Sequence, residues 1–530
     1  MLSSGLFHAI GSSMLRILGS TSQLCDGLSR RELLRAGGLS LLGLSTADLI
    51  RNESLAATEK TSAPGFGQAK ACILLYLYGA PSQLETYDPK PDAPVEIRGE
   101  FKAIDSAVPG LQVCEYLPNL AGVLDRATVV RSMTHPYNIH SAAYALTGVP
   151  QVDIPMELNP YDSRHWPFIG SVLDYLERRD HKKGDGNLLP PAARGCFAQT
   201  VPVPFFVPRN VGMPFQFSSR CAEFARGGPY GGFLGQTYNP IWTEFDGKST
   251  GVVNRWRGER DVPVDDPYLG ISPGDRFLLS RAAQLQPDIT LERLNQRRDL
   301  LSQFDIARRE LDDHRSVQTQ GRFQQMAFSL MTSEVMRAAL DIQQEPAALR
   351  EQYGMTLFGQ ATLAARRLIE SGSRLVTVFW DEYITANSAW DTHFDHFTRL
   401  KDELLPGLDR AFSALVLDLE SRGLLDTTLV ACISEHGRTP QITNSRGGGR
   451  EHWSRAYGGL FAGGGIKRGA VIGRTDKHAG DVIDRPVSPK DILATIYHLL
   501  GVDPTTMLED RLGRPLPLVA DGHVVEEVVA

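Results

Sequence analysis

Carboxylate and imidazole side chains recur in this sequence directly after apolar runs. Leu429 to Ile433 leads into Ser434-Glu435-His436-Gly437-Arg438, and Arg374 to Trp380 leads towards Trp390-Asp391-Thr392-His393-Phe394-Asp395-His396. The run Ala71 to Tyr78 is followed by Gly79-Ala80-Pro81-Ser82-Gln83-Leu84-Glu85-Thr86-Tyr87-Asp88, and a glycine-rich loop carries Gly449-Arg450-Glu451-His452-Trp453. Mixed carboxylate and imidazole sets are the donors of zinc, manganese and iron sites. Taken singly, each stretch has a plainer reading. Glu435-His436 suits a cap or a solvated turn, Asp391 suits the cap of the next helix, and His452 suits a hydrogen-bonded histidine packed beside Trp453. Taken together they favour a metal centre, because titratable groups brought to one edge of a fold mark functional sites.

The elements that must position these groups are strands buried on both faces. Ala71 to Tyr78, Ala127 to Val130, Arg374 to Trp380 and Thr427 to Ile433 are continuous apolar runs of the kind found in parallel sheets. Between the last two, Phe397, Leu400, Leu404, Leu408, Phe412, Leu415 and Leu419 recur at helical spacing, with Pro406 expected to kink the helix. Strand, helix and strand in this order imply a right-handed crossover. Ligands of such open sheets gather beyond the carboxyl ends of the strands. Ser488-Pro489-Lys490-Asp491 opens a further helix with an N-cap serine, a proline at the first helical position and a carboxylate in the first turn. Two stretches depart from the pattern. Residues 185–275, rich in Pro, Gly and aromatics, read as an irregular insertion covering one sheet edge, and residues 287–352 read as a peripheral helical hairpin.

A chain of 530 residues is long enough for one large α/β domain with insertions. Its net charge of -7 argues against a nucleic-acid partner, which would select a basic face. Beyond the N-terminal region no apolar run is long enough to span a bilayer. Ser29-Arg30-Arg31-Glu32-Leu33-Leu34 precedes a short apolar stretch and then Ser54-Leu55-Ala56, and resembles a twin-arginine export signal. Residues 1–57 are therefore expected to be a leader and residues 58–530 a single domain delivered to the periplasm, the cell envelope or the medium. In that oxidising setting Cys196 and Cys221 could pair, a point the sequence leaves open.

Several stretches resemble, in the same order, those of the DUF1501 family, which is related to the alkaline phosphatase and sulfatase superfamily. They are Tyr78 to Pro91, Val129 to His135, Trp390 to His393, Ser434 to Pro440, Gly449 to Trp453, Phe461 to Gly469 and Ser488 to Gly501. The resemblance implies an alkaline-phosphatase-like three-layer α/β/α sandwich around a mostly parallel central sheet. It also implies a metal site of Glu85, Asp391, His393, Glu435, His436 and His452 holding one or two divalent ions: zinc first, with manganese, calcium or magnesium as the other choices. Asp88 could replace Glu85, and His396 competes with His393. Many family members carry Glu-Phe where this chain has Glu435-His436, so a ligand role for His436 would belong to a subset.

The resemblance breaks at the nucleophile. Ser141 to Gly148 is similar to the alanine-rich helix that follows the attacking residue in phosphatases and sulfatases, and counting back places that residue at Asn138. An amide cannot attack in covalent catalysis, and the Cys-x-Pro-x-Arg signature of sulfatases is absent. Three alternatives stand: attack by metal-activated water, attack by Ser82 or Ser141, or binding without turnover. His135 and His140 flank the gap as candidate acid and base, or as further ligands. Arg131, Arg438 and Arg450 are candidates to hold an anionic ester. The expected function is that of an exported metal-dependent hydrolase acting on a phosphate or sulfate ester of a small molecule or glycan. The alternative is a non-catalytic envelope protein of the same fold that binds glycans or a protein partner.

Overall fold

Seven consecutive buried residues, Ala71–Leu77 (β1), run through the middle of a nine-stranded sheet. The structure, a computed structural model, describes residues 63–149, 154–183, 207–221, 225–256, 259–279 and 333–530. The other sheet strands are β2 (Ala127–Met133), β3 (Asn210–Met213), β4 (Ile241–Asp246), β5 (Arg276–Leu279), β6 (Leu375–Trp380), β7 (Thr428–Ile433), β8 (Tyr457–Ala462) and β9 (Ala470–Ile472). Across the sheet the order is β9-β2-β8-β7-β1-β6-β3-β4-β5. The five strands from β7 to β4 are mutually parallel. β8 runs antiparallel to both β7 and β2, and β5 runs antiparallel to β4. The fold is thus mixed α/β with a large, mostly parallel central sheet. The apolar runs read from the sequence form its centre because strands covered on both faces have no polar side to alternate with.

Four helices contribute to the hydrophobic core: α1 (Ala142–Thr147), α2 (Leu357–Glu370), α3 (Leu405–Ser421) and α4 (Pro489–Leu499). Almost every residue of α2 is buried, and the apolar positions of α3 recur every three to four residues, so both pack into one continuous hydrophobic core with the sheet. The disturbance expected from Pro406 takes the form of a π-helical turn, Leu400–Leu404, between the short helix His396–Arg399 and α3. Pro406 is the second residue of α3, directly after the π-helical turn, where it has no N–H to give to the preceding turn. At α4 the sequence signal is realised in full. The Ser488 side chain accepts from the Asp491 N–H while the Asp491 carboxylate accepts from the Ser488 N–H, a reciprocal capping box.

The Pro/Gly-rich stretch does more than cover an edge. Its strands β3 and β4 extend the parallel sheet beyond β6, and β5, just after the stretch, closes that edge. Of residues 185–275, the segments 207–221, 225–256 and 259–275 are described, and residues 185–206, which include Cys196, lie outside the described residues. Most of the helical hairpin expected over 287–352, namely residues 287–332, lies outside them too, as does the leader. The hairpin's last part is helical at Glu334–Leu340 and Ala347–Tyr353. Among the described residues no helix is long and apolar enough to cross a membrane.

Candidate metal centre

β1, β2, β6 and β7 end at the same edge of the sheet, and the antiparallel β8 begins there. The loops after these strands are tied together by main-chain contacts. Trp390 N–H donates to the Tyr78 carbonyl at 3.0 Å, and Gly79 N–H donates to the Glu435 carboxylate at 2.8 Å. Gly437–Arg438 pairs antiparallel with His452–Trp453, which draws the loop after β7 against the segment before β8. The Gly447-Gly448-Gly449 turn lies against the Asp391 loop so closely that a Cβ on Gly449 would sit 2.0 Å from the His393 carbonyl. Only glycine permits that approach.

Four of these loops deliver side chains to one point. His140 Nε2 lies 3.1 Å from Asp391 Oδ2, and His393 Nε2 lies 2.9 Å from Asp391 Oδ1. His452 Nε2 lies 3.6 Å from Asp391 Oδ1 and 3.1 Å from His393 Nε2. His140, Asp391, His393 and His452 can each offer a ligand atom within 4.8 Å of all the others, and so can His140, Glu435 and His436. His436 Nε2 is buried and makes no hydrogen bond or ion pair among the described residues, whereas His140 Nε2 and Asp391 Oδ1 are held in ion pairs. Buried polar atoms are normally partnered, so an unpartnered imidazole nitrogen on a ring 4.8 Å from those of His140 and His452 fits a cation. The cluster could therefore hold a metal ion.

The electrostatics separate the imidazoles. Burial opposes charge on His140, but Asp391 and Glu435 outweigh it and push its pKa up to about 9. Burial, reinforced by the positive charges of His140 and Arg438, drives His436 well below the usual range and keeps it neutral. Its Nδ1 faces the Gly437 carbonyl at 2.8 Å, which fixes the proton there and leaves Nε2 as an acceptor. Burial would raise the Asp391 carboxyl, yet the Arg438 guanidinium and His140 hold it well below the ordinary carboxylate range.

The remaining sequence candidates fall into place around this cluster, several of them away from it. Glu85 is not brought to the point of convergence. It is buried in an ion pair with Arg450, with His396 Nε2 at 3.2 Å, so His393 and not His396 reaches the cluster. Asp88 does not substitute, being held by Lys90, Thr475 and Arg131. Arg450 also donates to the carbonyls of Ile97, Thr439 and Pro440, and Arg438 to those of Gly79, Ala80, Trp390 and Arg450 as well as pairing with Asp391. Both guanidiniums are fully buried and engaged with protein groups, which leaves them to fasten the loops and not to hold substrate. Arg131 turns instead to the carbonyls of Tyr87 and Gln112.

His135 is not a free acid or base either. Its Nε2 faces the Glu435 carbonyl at 2.7 Å and its Nδ1 accepts from the Tyr137 N–H, so both ring nitrogens serve the backbone. Asn138 is exposed, and its side-chain oxygen accepts from the Ser454 N–H at 3.0 Å. Ser141 caps α1 by accepting from Tyr144 N–H and donates to Glu157. The Ser82 hydroxyl is buried without a hydrogen-bond partner among the described residues.

Sequence reasoning missed three participants. Glu451 reaches His393 Nδ1 at 2.6 Å. Glu157 is buried beneath the site, and burial pushes its pKa up to about 7. Arg226, from the aromatic insertion, lays its guanidinium over the Tyr78 ring at 5.1 Å, one ring away from His140. The Gly449-Arg450-Glu451-His452 stretch held the signal for Glu451, since carboxylates beside ligand histidines orient them. Nothing local to Glu157 or Arg226 marks either.

A search of curated proteins finds no match. Among solved structures the chain is similar to Ps i-CgsB, at 11% identity over 86% of this chain and 75% of that one, with a TM-score of 0.37. It is similar to the PsFucS1 sulfatase from Pseudoalteromonas sp. at 10% identity, over 85% of this chain and 72% of that one, with a TM-score of 0.33. For the phosphonate monoester hydrolase SpPMH from Silicibacter pomeroyi the values are 12%, 86%, 76% and 0.32. At the level of sequence, residues 69–529 match the family described as protein of unknown function (DUF1501), and the chain belongs to that family.

Proposed function

We propose that the protein is an exported hydrolase that uses a divalent metal ion to cleave phosphate or sulfate esters of small molecules or glycans. The observation that carries this reading is the convergence of His140, Asp391, His393 and His452 at the carboxyl edge of the sheet. A divalent cation there supplies Lewis acidity for an ester oxygen and lowers the pKa of water towards neutrality. The chain's own residues do the rest. Asp391 and the imidazoles fix the ion, while Arg438 and Arg450 lock the loops that carry them. The neutral His436 offers Nε2 as a hydrogen-bond acceptor that would orient the attacking water. Water is the preferred nucleophile because Asn138 cannot attack, the Ser141 hydroxyl is engaged as a helix cap, and the Ser82 hydroxyl, though unpartnered, is buried at 1% exposure.

The absence of a nucleophile at Asn138 also supports a second reading, a non-catalytic envelope protein that keeps the cluster for binding glycans or a protein partner. Metal analysis of the purified chain, followed by assays with aryl phosphates, phosphodiesters and aryl sulfates, separates the two. The hydrolase reading expects bound metal and turnover, both lost in Asp391→Ala. Turnover retained by Asp391→Ala would overturn it, as would a folded, metal-free protein with no hydrolysis.

A further inference from the structure

β6 ends in two buried acids that the cluster does not use, Asp381 and Glu382, each 1% exposed. Both oxygens of Asp381 are taken by the backbone, accepting from the Ser218 N–H at 2.6 Å and the Glu382 N–H at 2.8 Å. Only one oxygen of Glu382 is taken. Its Oε1 accepts from the Asn387 N–H at 2.6 Å. Its Oε2 makes no hydrogen bond among the described residues, and the ion pair it forms with Arg226 Nε is long, at 3.9 Å. The Tyr78 hydroxyl is likewise buried without a hydrogen-bond partner among those residues. Arg226 joins the two groups, lying over the Tyr78 ring at 5.1 Å while it approaches Glu382. On its other side the Tyr78 ring is centred 5.4 Å from that of His140, so the pair borders the cluster.

Buried polar atoms are normally partnered, and a carboxylate oxygen beside a phenol calls for a ligand that donates hydrogen bonds. Charge decides which donor. Arg226 and a cation in the cluster would both repel an ammonium group, whereas a hydroxyl donates without adding charge. Burial and the Glu382 charge hold the Tyr78 pKa well above its usual value, so the phenol keeps its proton and can both accept and donate. The backbone around Glu382 is strained to present it. Asn387, whose N–H fixes Oε1, has φ +60°, and the β-branched Ile384 has φ +67°. Such conformations persist where the surrounding structure imposes them, often at ligand sites. The residues that follow Ser218 and Glu382 line a cavity of about 370 Å³, formed by Ser219, Arg220, Cys221, Tyr383 and Ile384. Small-molecule sites begin at about that size.

Resting on the reading of the cluster as an ester-cleaving site, we propose that Glu382 and Tyr78 form a subsite for the alcohol part of the ester, and that this alcohol is a sugar or polyol with adjacent hydroxyls. One hydroxyl donates to Glu382 Oε2, its neighbour exchanges hydrogen bonds with the Tyr78 phenol, and the cavity receives the rest of the molecule. Asp381, which fixes the Ser218 turn, is a positioning residue. An alcohol with no second hydroxyl leaves polar atoms of this subsite buried and unpaired, which weakens its binding.

The test reads binding and needs no turnover. The full chain is mixed with the methyl glycosides of glucose, galactose, mannose and fucose, with myo-inositol, and with cyclohexanol as a single-hydroxyl control. Dissociation constants are measured by saturation-transfer NMR. At least one polyol should bind in the millimolar range, and cyclohexanol should not. Glu382→Gln keeps an amide oxygen for the Asn387 N–H and places an NH₂ where Oε2 was, so affinity for that polyol should fall roughly 10- to 100-fold. Tyr78→Phe removes only the hydroxyl and should weaken the same polyol roughly 3- to 10-fold. Its native circular dichroism keeps the test informative even if Glu382→Gln impairs folding. No polyol binding by the wild-type chain, equal binding of cyclohexanol, or unchanged affinity in Tyr78→Phe would overturn the subsite. Because none of the probes is an ester, polyol binding without ester turnover would count against the proposed hydrolase and not against the subsite. Ester turnover without polyol binding would do the reverse.

Discussion

Glu85 and Asp391 are both buried carboxylates beside a fully buried arginine, yet their tasks differ. Asp391 meets three imidazoles as well as Arg438, whereas Glu85 meets Arg450 and His396. Burial alone would raise the Glu85 pKa. Arg450 carries a permanent charge and reverses that effect, holding the carboxyl at about 2, while burial drives His396 itself towards its neutral form. A fall from 4.5 to about 2 corresponds to about 3 kcal/mol of stabilisation. Because the folded pKa lies below the unfolded one, that contribution is complete above pH 4.5 and disappears as pH falls towards 2. Glu85→Gln should therefore lower the unfolding free energy by about 3 kcal/mol at pH 7, with the gap to wild type closing below pH 4.5. Urea titrations at pH 7, 5 and 3.5 would measure it, and a constant gap would exclude the ion pair as its source. Asp391, His393 and His452 were legible in the sequence because each lies in a short polar stretch beside a strand. The displacement of Glu85 was not, because it depends on where Arg450 points after a glycine turn more than 350 residues away.

The strands were legible as elements because burial on both faces leaves an unbroken apolar run, as in β1, β6 and β7. β3, β4 and β5 were not. They are short edge elements among prolines and aromatics, where no period stands out. The decisive element junction is the end of β1. Gly79 adopts φ +98°, donates to Glu435, and receives the Arg438 guanidinium on its carbonyl. A Cβ there would lie 2.3 Å from the Asp391 nitrogen and 2.8 Å from the Trp390 carbonyl carbon, both backbone atoms that cannot swing aside. Gly79→Ala should accordingly cost about 2–3 kcal/mol of stability. It should also weaken cation binding, because the loops after β1, β6 and β7 meet at this one residue. Chemical denaturation and cation titration of the same variant check both effects. A stability loss with unchanged affinity would show that the junction does not set the ligand geometry.

For the whole molecule, the cluster acts as a tie between distant parts of the chain. His140 follows β2, Asp391 and His393 follow β6, and His452 precedes β8, so no segment holds an ion by itself and the unfolded chain has no formed site. A cation that binds only the folded state stabilises it by mass action, by about 2.7 kcal/mol at a free concentration one hundred times Kd. Removing the ion with a chelator should therefore lower the thermal midpoint reversibly, and restoring it should raise the midpoint with the logarithm of concentration. Asp391→Ala should show no such response. The core itself does not depend on the ion, since the buried cluster of strands and helices is continuous without it. The apo protein is accordingly expected to remain folded, with native far-UV circular dichroism and a lower midpoint. Unfolding on metal removal would make the ion an obligatory part of the fold. An unchanged midpoint in the presence of bound metal would mean that the ion sits elsewhere than on these three loops.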